Sequence, residues 1–380
     1  MILTLLLITL GFTILLTQYL ISRKTQIYEK VNDISSIQLP KISIIIPIYR
    51  ESLSSITNTL ESISKQNYPK HLMNVFLIVE ADDYSEDVVN ELLSRYSSLN
   101  IKIIKHSIPR GCRRLKAKAI NYAFNYTDTE IVGIYDADNI FPSDQVLNAV
   151  LLLMSKNYVA IGTRVYRFRN GLLGTLTLIE SYIWHNITIP FMKYILGLIP
   201  LSGEGLFIRR DIVKEIPETL AEDSILAFNL QLNGYKVGLL DSYVFEKAPI
   251  DLINFIKQRI RWYRGYLENL MHILKCRVKS SSRFKIVMLY LLITLPLASI
   301  FVSLILILVD IYIYFNPINA IVIFTLLSLT YIVATLIIKY LVYLSDNKSL
   351  MMLSLYWFFI AVVALISVII PIKSWLKTQR

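Results

Sequence analysis

Glu130-Ile131-Val132-Gly133-Ile134-Tyr135-Asp136-Ala137-Asp138 is a short apolar run that stops on two aspartates one residue apart. Its length and β-branched content read as a buried strand closed by a turn. Three similar strands are expected upstream, at 42–47 (halted by Pro47), 74–80 and 101–104. Between and after them lie helical stretches at about 52–66, 85–97 and 115–126. Strands alternating with helices of ten or more residues require right-handed crossovers, and so an α/β fold with a mainly parallel, Rossmann-like sheet. Ligands of such sheets collect beyond the carboxyl ends of the strands. Glu51, Glu80, Asp82, Asp83, Asp136 and Asp138 all fall just past strand ends. Carboxylates gathered at one sheet edge repel unless a cation or hydrogen-bond donors offset them.

The rest of the chain is too apolar for a core alone. Of 380 residues 54% are hydrophobic, and the excess lies at the amino terminus and in the last hundred residues. Residues 2–22 are apolar and followed at once by Arg23 and Lys24, which reads as an uncleaved anchor with the next domain on the cytoplasmic side. A linker is expected at 23–40 and a catalytic domain at 41–249. Within that domain, 171–199 is apolar but interrupted by Glu180, Trp184, His185 and Pro190, which favours interfacial helices over a span. Residues 250–285 are amphipathic and basic. Runs at 286–309, 318–338 and 350–370 each have the ~20 residues needed to cross the hydrocarbon, and a basic tail closes the chain at 372–380. The net charge of +11 fits positive-inside bias and a phosphorylated substrate; no nucleic-acid partner is expected. Two cysteines, Cys112 and Cys276, exclude a disulfide framework or a cysteine zinc site. His71, His106, His185 and His272 lack ligand spacing and are expected in ordinary surface or interface roles.

Three polar clusters carry the chemistry. Asp136-Ala137-Asp138 can hold Mg²⁺ or Mn²⁺ against a diphosphate, although an Asp-x-Asp alone is also an ordinary turn. Glu222-Asp223 can supply a base or simply suit a helix amino terminus. Gln258-Arg259-Ile260-Arg261-Trp262 puts Gln258 and Arg261 on one helical face and adds an aromatic ring; the same segment could merely anchor the domain at the interface. Lys116 and Lys118 start a helix, where backbone N–H groups also receive phosphate.

With these residues in view the chain resembles the family 2 glycosyltransferases, in particular their membrane-embedded cellulose, hyaluronan and glucomannan synthase branch. Ile46-Pro47-Ile48-Tyr49-Arg50-Glu51 looks like the first nucleotide-binding turn, and Val79-Glu80-Ala81-Asp82-Asp83 occupies the second. Lys116-Ala117-Lys118-Ala119-Ile120-Asn121 is similar to the Lys-x-x-Ala-Leu-Asn helix. Leu220-Ala221-Glu222-Asp223 resembles the Thr-Glu-Asp motif, with Ala221 for threonine, and Gln258 to Trp262 match Gln-x-x-Arg-Trp. In Ser202-Gly203-Glu204-Gly205-Leu206, Glu204 is the less expected residue.

The resemblance implies a GT-A catalytic domain and inverting transfer of a hexosyl unit from a UDP- or GDP-sugar to a saccharide or lipid acceptor. It implies Asp223 as base and Asp138 as metal ligand. It also implies Tyr49, Glu51, Glu80, Lys116, Asp136, Gln258 and Arg261 as donor contacts, with Trp262 and Glu222 on the acceptor side. A single-addition transferase acting on a polyprenyl phosphate or diacylglycerol is the alternative within enzymes, and a homo-oligomer could widen the narrow membrane scaffold. A non-catalytic transport subunit or scaffold is the reading of another class. It requires ionisable residues within the spans, where the sequence has only Asp310, at an edge.

Overall fold

The structure, a computed structural model, describes residues 13–14, 16–31, 38–80, 89–91, 93–107, 115–275 and 347–369, with a few isolated positions between 284 and 325. Most of the expected anchor, the runs at 286–309 and 318–338, the basic tail, Asp82, Asp83 and both cysteines lie outside the described residues.

The four expected strands form as β2 (Ile42–Ile48), β3 (Met73–Glu80), β4 (Asn100–His106) and β5 (Ile131–Ile134). Four more complete the sheet: β1 (Tyr28–Glu29), β6 (Ala160–Phe168), β7 (Leu206–Arg209) and β8 (Val237–Lys247). The order is β1-β8-β6-β7-β5-β2-β3-β4. Every pairing is parallel except those of β7, which runs against β5 and β6. The mainly parallel sheet expected from the sequence is present, and Tyr28–Glu29 adds a strand inside the segment read as linker.

Helices cover both faces. They are α1 (Leu53–Ser64), α2 (Leu115–Ala123), α3 (Gln145–Lys156), α4 (Leu172–Ile183), α5 (Ile189–Leu196), α6 (Glu222–Leu232), α7 (Leu252–Lys275) and α8 (Asn347–Ile369). One core layer packs Ile44, Ile46, Val75, Leu77 and Tyr135 against α1 and α3. The other sets Ile45, Phe76, Ile78, Val132 and Ile134 against Ala117, Ile120 and Ala123 of α2. The alternation of side chains along β2 and β3 assigns their successive residues to these two layers.

Two connections decide what reaches the sheet edge. Because β7 is reversed, its amino end at Leu206 stands opposite Ile134, so residues 202–205 lie beside the Asp136 turn. Just past that turn Ile140 bridges to Phe245: Ile140 N–H donates to Phe245 O at 2.8 Å, and Phe245 N–H to Ile140 O at 2.7 Å. This bridge draws the carboxyl end of β8 to the same place.

In the apolar stretch 171–199, α4 continues through a π-helical turn (Trp184–Thr188) into α5. His185 corrects the surface reading: it is buried, its Nε2 accepts from Val165 N–H at 3.0 Å, and burial drives its pKa down to about 3. Val165 follows a β-bulge between Gly162 and Arg164, and the ring meets the backbone donor there. Among the described residues no helix is both long and apolar enough to cross a membrane. Helix α8 covers the third expected run, and most of its first half lies outside the described side chains.

Candidate active site

The site forms where β2, β3, β5 and β8 end and β7 begins. Tyr49 and Glu51 follow β2, Glu80 closes β3, and Asp136 follows β5 by two residues. In the sheet β2 adjoins β5 and β3 adjoins β2, so the expected donor contacts occupy three neighbouring turns. The backbone at Arg50 turns sharply, with φ of 53°. The Asp136 turn is held by Asn139, whose Oδ1 accepts from Asp136 N–H at 2.8 Å. Asp138 is buried and Asp136 partly so.

Asp136, Asp138 and Glu246 each bring a carboxylate oxygen within 4.8 Å of the other two. Sequence reasoning missed Glu246. Its signal was its phase: on β8, Ser242, Val244 and Glu246 share one buried face, so a carboxylate stands where an apolar side chain belongs. Glu246 is fully buried and contacts Arg167 of β6, its register neighbour. Three hard oxygen donors at this spacing suit Mg²⁺ or Mn²⁺.

Lys116, at the start of α2, points its ammonium into the centre. Nζ lies 2.6 Å from Asp136 Oδ1 and 4.0 Å from Glu222 Oε1, and donates to Gly203 O at 3.3 Å. The surrounding carboxylates Asp136, Glu204 and Glu222 outweigh burial and push its pKa up. Asn121, a helical turn further along, fixes α2 against the segment leading to α6. Its Nδ2 donates to Ile216 O at 2.9 Å and its Oδ1 accepts from Ile216 N–H at 2.7 Å. The lysine and asparagine of this helix thus act on one neighbour from two points.

Glu222 and Asp223 form the first turn of α6. Asp223 Oδ1 accepts from Ser224 N–H at 2.7 Å. Helix α7 fixes this turn from behind, with Asn269 Nδ2 donating to Ala221 O at 2.8 Å. A Cβ on Gly265 would lie 2.9 Å from that of Ala221, so the two helices meet at a pair of small residues. Burial first, then Lys116 opposing and Asp223 reinforcing, brings the Glu222 pKa to about 7. Asp223 is also raised, by burial and by Glu204. Glu204 is itself raised by burial and by Glu246.

On α7, Gln258 is fully buried, with Oε1 accepting from Arg259 Nη1 at 3.2 Å and Nε2 unpartnered among the described residues. Arg261 lies close enough to Glu222 to lower its pKa. The Trp262 ring has two guanidiniums over it, Arg259 at 4.2 Å and Arg167 at 4.6 Å from the centroid. Arg259, an unassigned position within the motif, is 1% exposed and pairs with Glu180 of α4, which also accepts from Tyr356 Oη of α8 at 2.6 Å. Glu180, which interrupts the apolar pattern of 171–199, therefore points inward to a cation.

Residues 40–265 match the family described as glycosyltransferase like family 2. The chain belongs to that family. A probable glycosyltransferase of Bacillus subtilis, YdaM, is 28% identical over 242 residues, 60% of this chain and 56% of its own. A beta-monoglucosyldiacylglycerol synthase of Synechocystis is 24% identical over 248 residues, 61% and 49% of the two chains. A cellulose synthase 1 catalytic subunit (UDP-forming) of Komagataeibacter xylinus is 25% identical over 243 residues, 60% and 31%. The chain thus spans less than two thirds of the length of these curated relatives. Among solved structures, a mannosyltransferase of Pyrobaculum calidifontis in complex with GDP-Man and Mn²⁺ superposes with a TM-score of 0.71 over 96% of both chains at 17% identity. The likeness establishes a shared fold and agrees with the GT-A architecture expected of the family.

Proposed function

We propose that the chain is an inverting glycosyltransferase that moves a hexosyl unit from a nucleotide-diphosphate sugar to an acceptor hydroxyl at a membrane surface. One observation carries this reading. The Lys116 ammonium stands between Asp136, on the donor turn, and Glu222, beside Asp223, at 2.6 and 4.0 Å. Acidic groups suited to two different substrates meet across a single cation.

Asp223 takes the proton of the acceptor hydroxyl while that oxygen attacks the anomeric carbon. The bond to the diphosphate breaks on the opposite face, which inverts the configuration. Burial and Glu204 raise the Asp223 pKa, and a base whose pKa approaches the working pH is the more effective one. Arg261 and Lys116 offset charge on the departing diphosphate, stabilisation aimed where charge develops. Gln258, on the same helix face as Arg261, has a buried donor to spare for the donor substrate. Tyr49, Glu51 and Glu80 line the nucleoside end, and Trp262 meets the acceptor sugar with a ring already fixed by two guanidiniums.

The residues present fit a divalent cation: Asp136, Asp138 and Glu246 would hold it. A bound Mg²⁺ or Mn²⁺ neutralises the diphosphate of the donor.

Large apolar side chains are exposed at the end of α5 (Tyr194, Ile195), at the start of α7 (Leu252, Ile253) and at its end (Met271, Leu274). Such groups near basic residues support attachment to lipid, with the catalytic domain cytoplasmic as the charge bias favours. A lipid acceptor, single-addition reading is supported by similarity to beta-monoglucosyldiacylglycerol synthases. A polymerising reading is supported by Gln258-Arg259-Ile260-Arg261-Trp262 and by similarity to cellulose synthase subunits.

The test is transfer from labelled UDP- and GDP-sugars by protein purified in detergent, with lipid extract and Mg²⁺ or Mn²⁺. One shifted glycolipid spot supports single addition, and a ladder supports polymerisation. The absence of both transfer and hydrolysis with every donor would remove the enzyme reading and return the chain to a scaffold.

A further inference from the structure

We infer that Arg167 is a positioning residue that fixes the third carboxylate of the candidate metal group and the Trp262 ring relative to one another. The inference rests on the metal reading given above. Arg167 projects from β6 beside Glu246 in the parallel register. Its Nε contacts Glu246 Oε1, its Nη2 lies 3.7 Å from Glu204 Oε1, and its guanidinium carbon stands 4.6 Å from the Trp262 ring centroid. Its side chain is 12% exposed, so all three contacts are made largely out of water.

A carboxylate offers two oxygens and about four lone-pair sites. The ion pair with Arg167 lies against one oxygen of Glu246 without the geometry of a hydrogen bond, and the carboxylate also reaches Asp136 and Asp138. Strand β8 sets where the Glu246 backbone lies, while the Arg167 contact helps set where the carboxylate turns. Outer partners of metal-ligating groups act in this way, and removing one typically costs about 10- to 100-fold in metal affinity or activity. On its other side the guanidinium lies over Trp262, which Arg259 also holds at 4.2 Å. Arg259 faces Glu180 and Tyr356, whereas Arg167 touches the acidic group itself. A planar fork can pair and stack at once; a lysine ammonium cannot. The neighbouring arginines are committed elsewhere: Arg164 pairs with Asp241 at 2.5 Å, and Arg169 donates to Ala248 O at 3.0 Å.

The test measures Mn²⁺ binding by electron paramagnetic resonance of the free ion, on the full chain in detergent, with Mn²⁺ alone and with GDP. Wild type, R167K and R167Q are compared, and thermal unfolding verifies that each is folded. R167Q is expected to bind Mn²⁺ about 10- to 100-fold more weakly than wild type. R167K should recover part of that affinity through its charge. Wild type is expected to change its tryptophan fluorescence on Mn²⁺ addition and W262F is not; R167K should not recover that change, and its kcat should fall by more than its donor KM rises. Wild-type Mn²⁺ affinity in folded R167Q would overturn the inference while leaving the metal reading intact. If R167Q does not fold, wild-type affinity and an intact fluorescence response in R167K overturn it. A wild-type chain that binds no Mn²⁺, with or without GDP, would remove the metal reading itself and the inference with it.

Discussion

Lys116 and Asp136 meet at 2.6 Å across a single crossover, one opening α2 and the other following β5, the strand to which α2 leads. With Lys116 replaced by glutamine, Asp136 and Glu222 lose the charge between them. A hydrogen bond to a charged group contributes about 1.5–3 kcal/mol. The expected outcome is a loss in donor affinity of about 10- to 100-fold. Equilibrium binding of UDP- and GDP-sugars to K116Q measures it, and unchanged affinity would remove Lys116 from the donor site.

Asp223→Asn should lower turnover by about 10²- to 10⁴-fold, the range for loss of a positioned base, and leave donor affinity nearly intact. The amide keeps an oxygen that can accept from Ser224 N–H, so the first turn of α6 should survive. Single-turnover transfer together with donor binding separates the two effects. Wild-type turnover would exclude Asp223 as the base.

Breaking the Arg259–Glu180 pair should destabilise the protein. Arg259 is 1% exposed, and removing one member of a buried pair costs about 3–5 kcal/mol because the other is left uncompensated. Glu180→Gln should therefore lower Tm, and the double replacement E180L/R259M should recover much of the loss. A double variant no more stable than the single one would show that the pair is not the source of the effect.

Glu222 titrates near 7 in the folded protein against an ordinary 4.5. Between these two pH values the folded state holds the proton that the unfolded chain gives up, so the unfolded state binds fewer protons and stability falls as pH rises. The contribution is fully present below about 4.5 and gone above about 7. Denaturant midpoints across pH 4 to 8 should slope downward in this window for wild type, and less for Glu222→Gln. Equal slopes would place the titration on another group.

Two glycines of the 202–205 loop should respond differently to alanine. At Gly203 a Cβ would lie 2.9 Å from Lys116 Nζ, the mobile end of a long side chain, so folding should suffer little while donor affinity falls. At Gly205 φ is +63° and the Cβ would lie 2.5 Å from Thr163 Oγ1, so G205A should lose stability through both strain and overlap. Thermal melts paired with donor titrations distinguish the two, and the reverse pattern would contradict this account.

The sequence revealed the elements whose pattern is locally complete. Strands β2 and β3 are continuous apolar runs because both their faces are covered, and such runs stand out. The Asp136 turn and the Gln258-Arg259-Ile260-Arg261-Trp262 segment were legible because their groups lie within five residues of one another. Glu246 was not, since only the long-range bridge from Ile140 to Phe245 brings it to Asp138. Arg167 and Arg259 were passed over for a related reason. A charged residue in a basic chain reads as surface until its buried partner is known, and those partners, Glu246 and Glu180, lie 79 residues away in each case. Strand β7 is four residues long, too short to declare itself against the loops around it.

The reversal of that short strand separates two inheritances. The chain reaches the catalytic edge through residues 198–205 and then runs away from it along β7, so this approach carries no parallel crossover whose length the sheet dictates. The strands that hold the donor turns can stay constant while the approach to β7 is lengthened, shortened or rewritten. The acidic turns can thus persist in the sheet while the loop that meets Lys116 through Gly203 varies in length and composition around them.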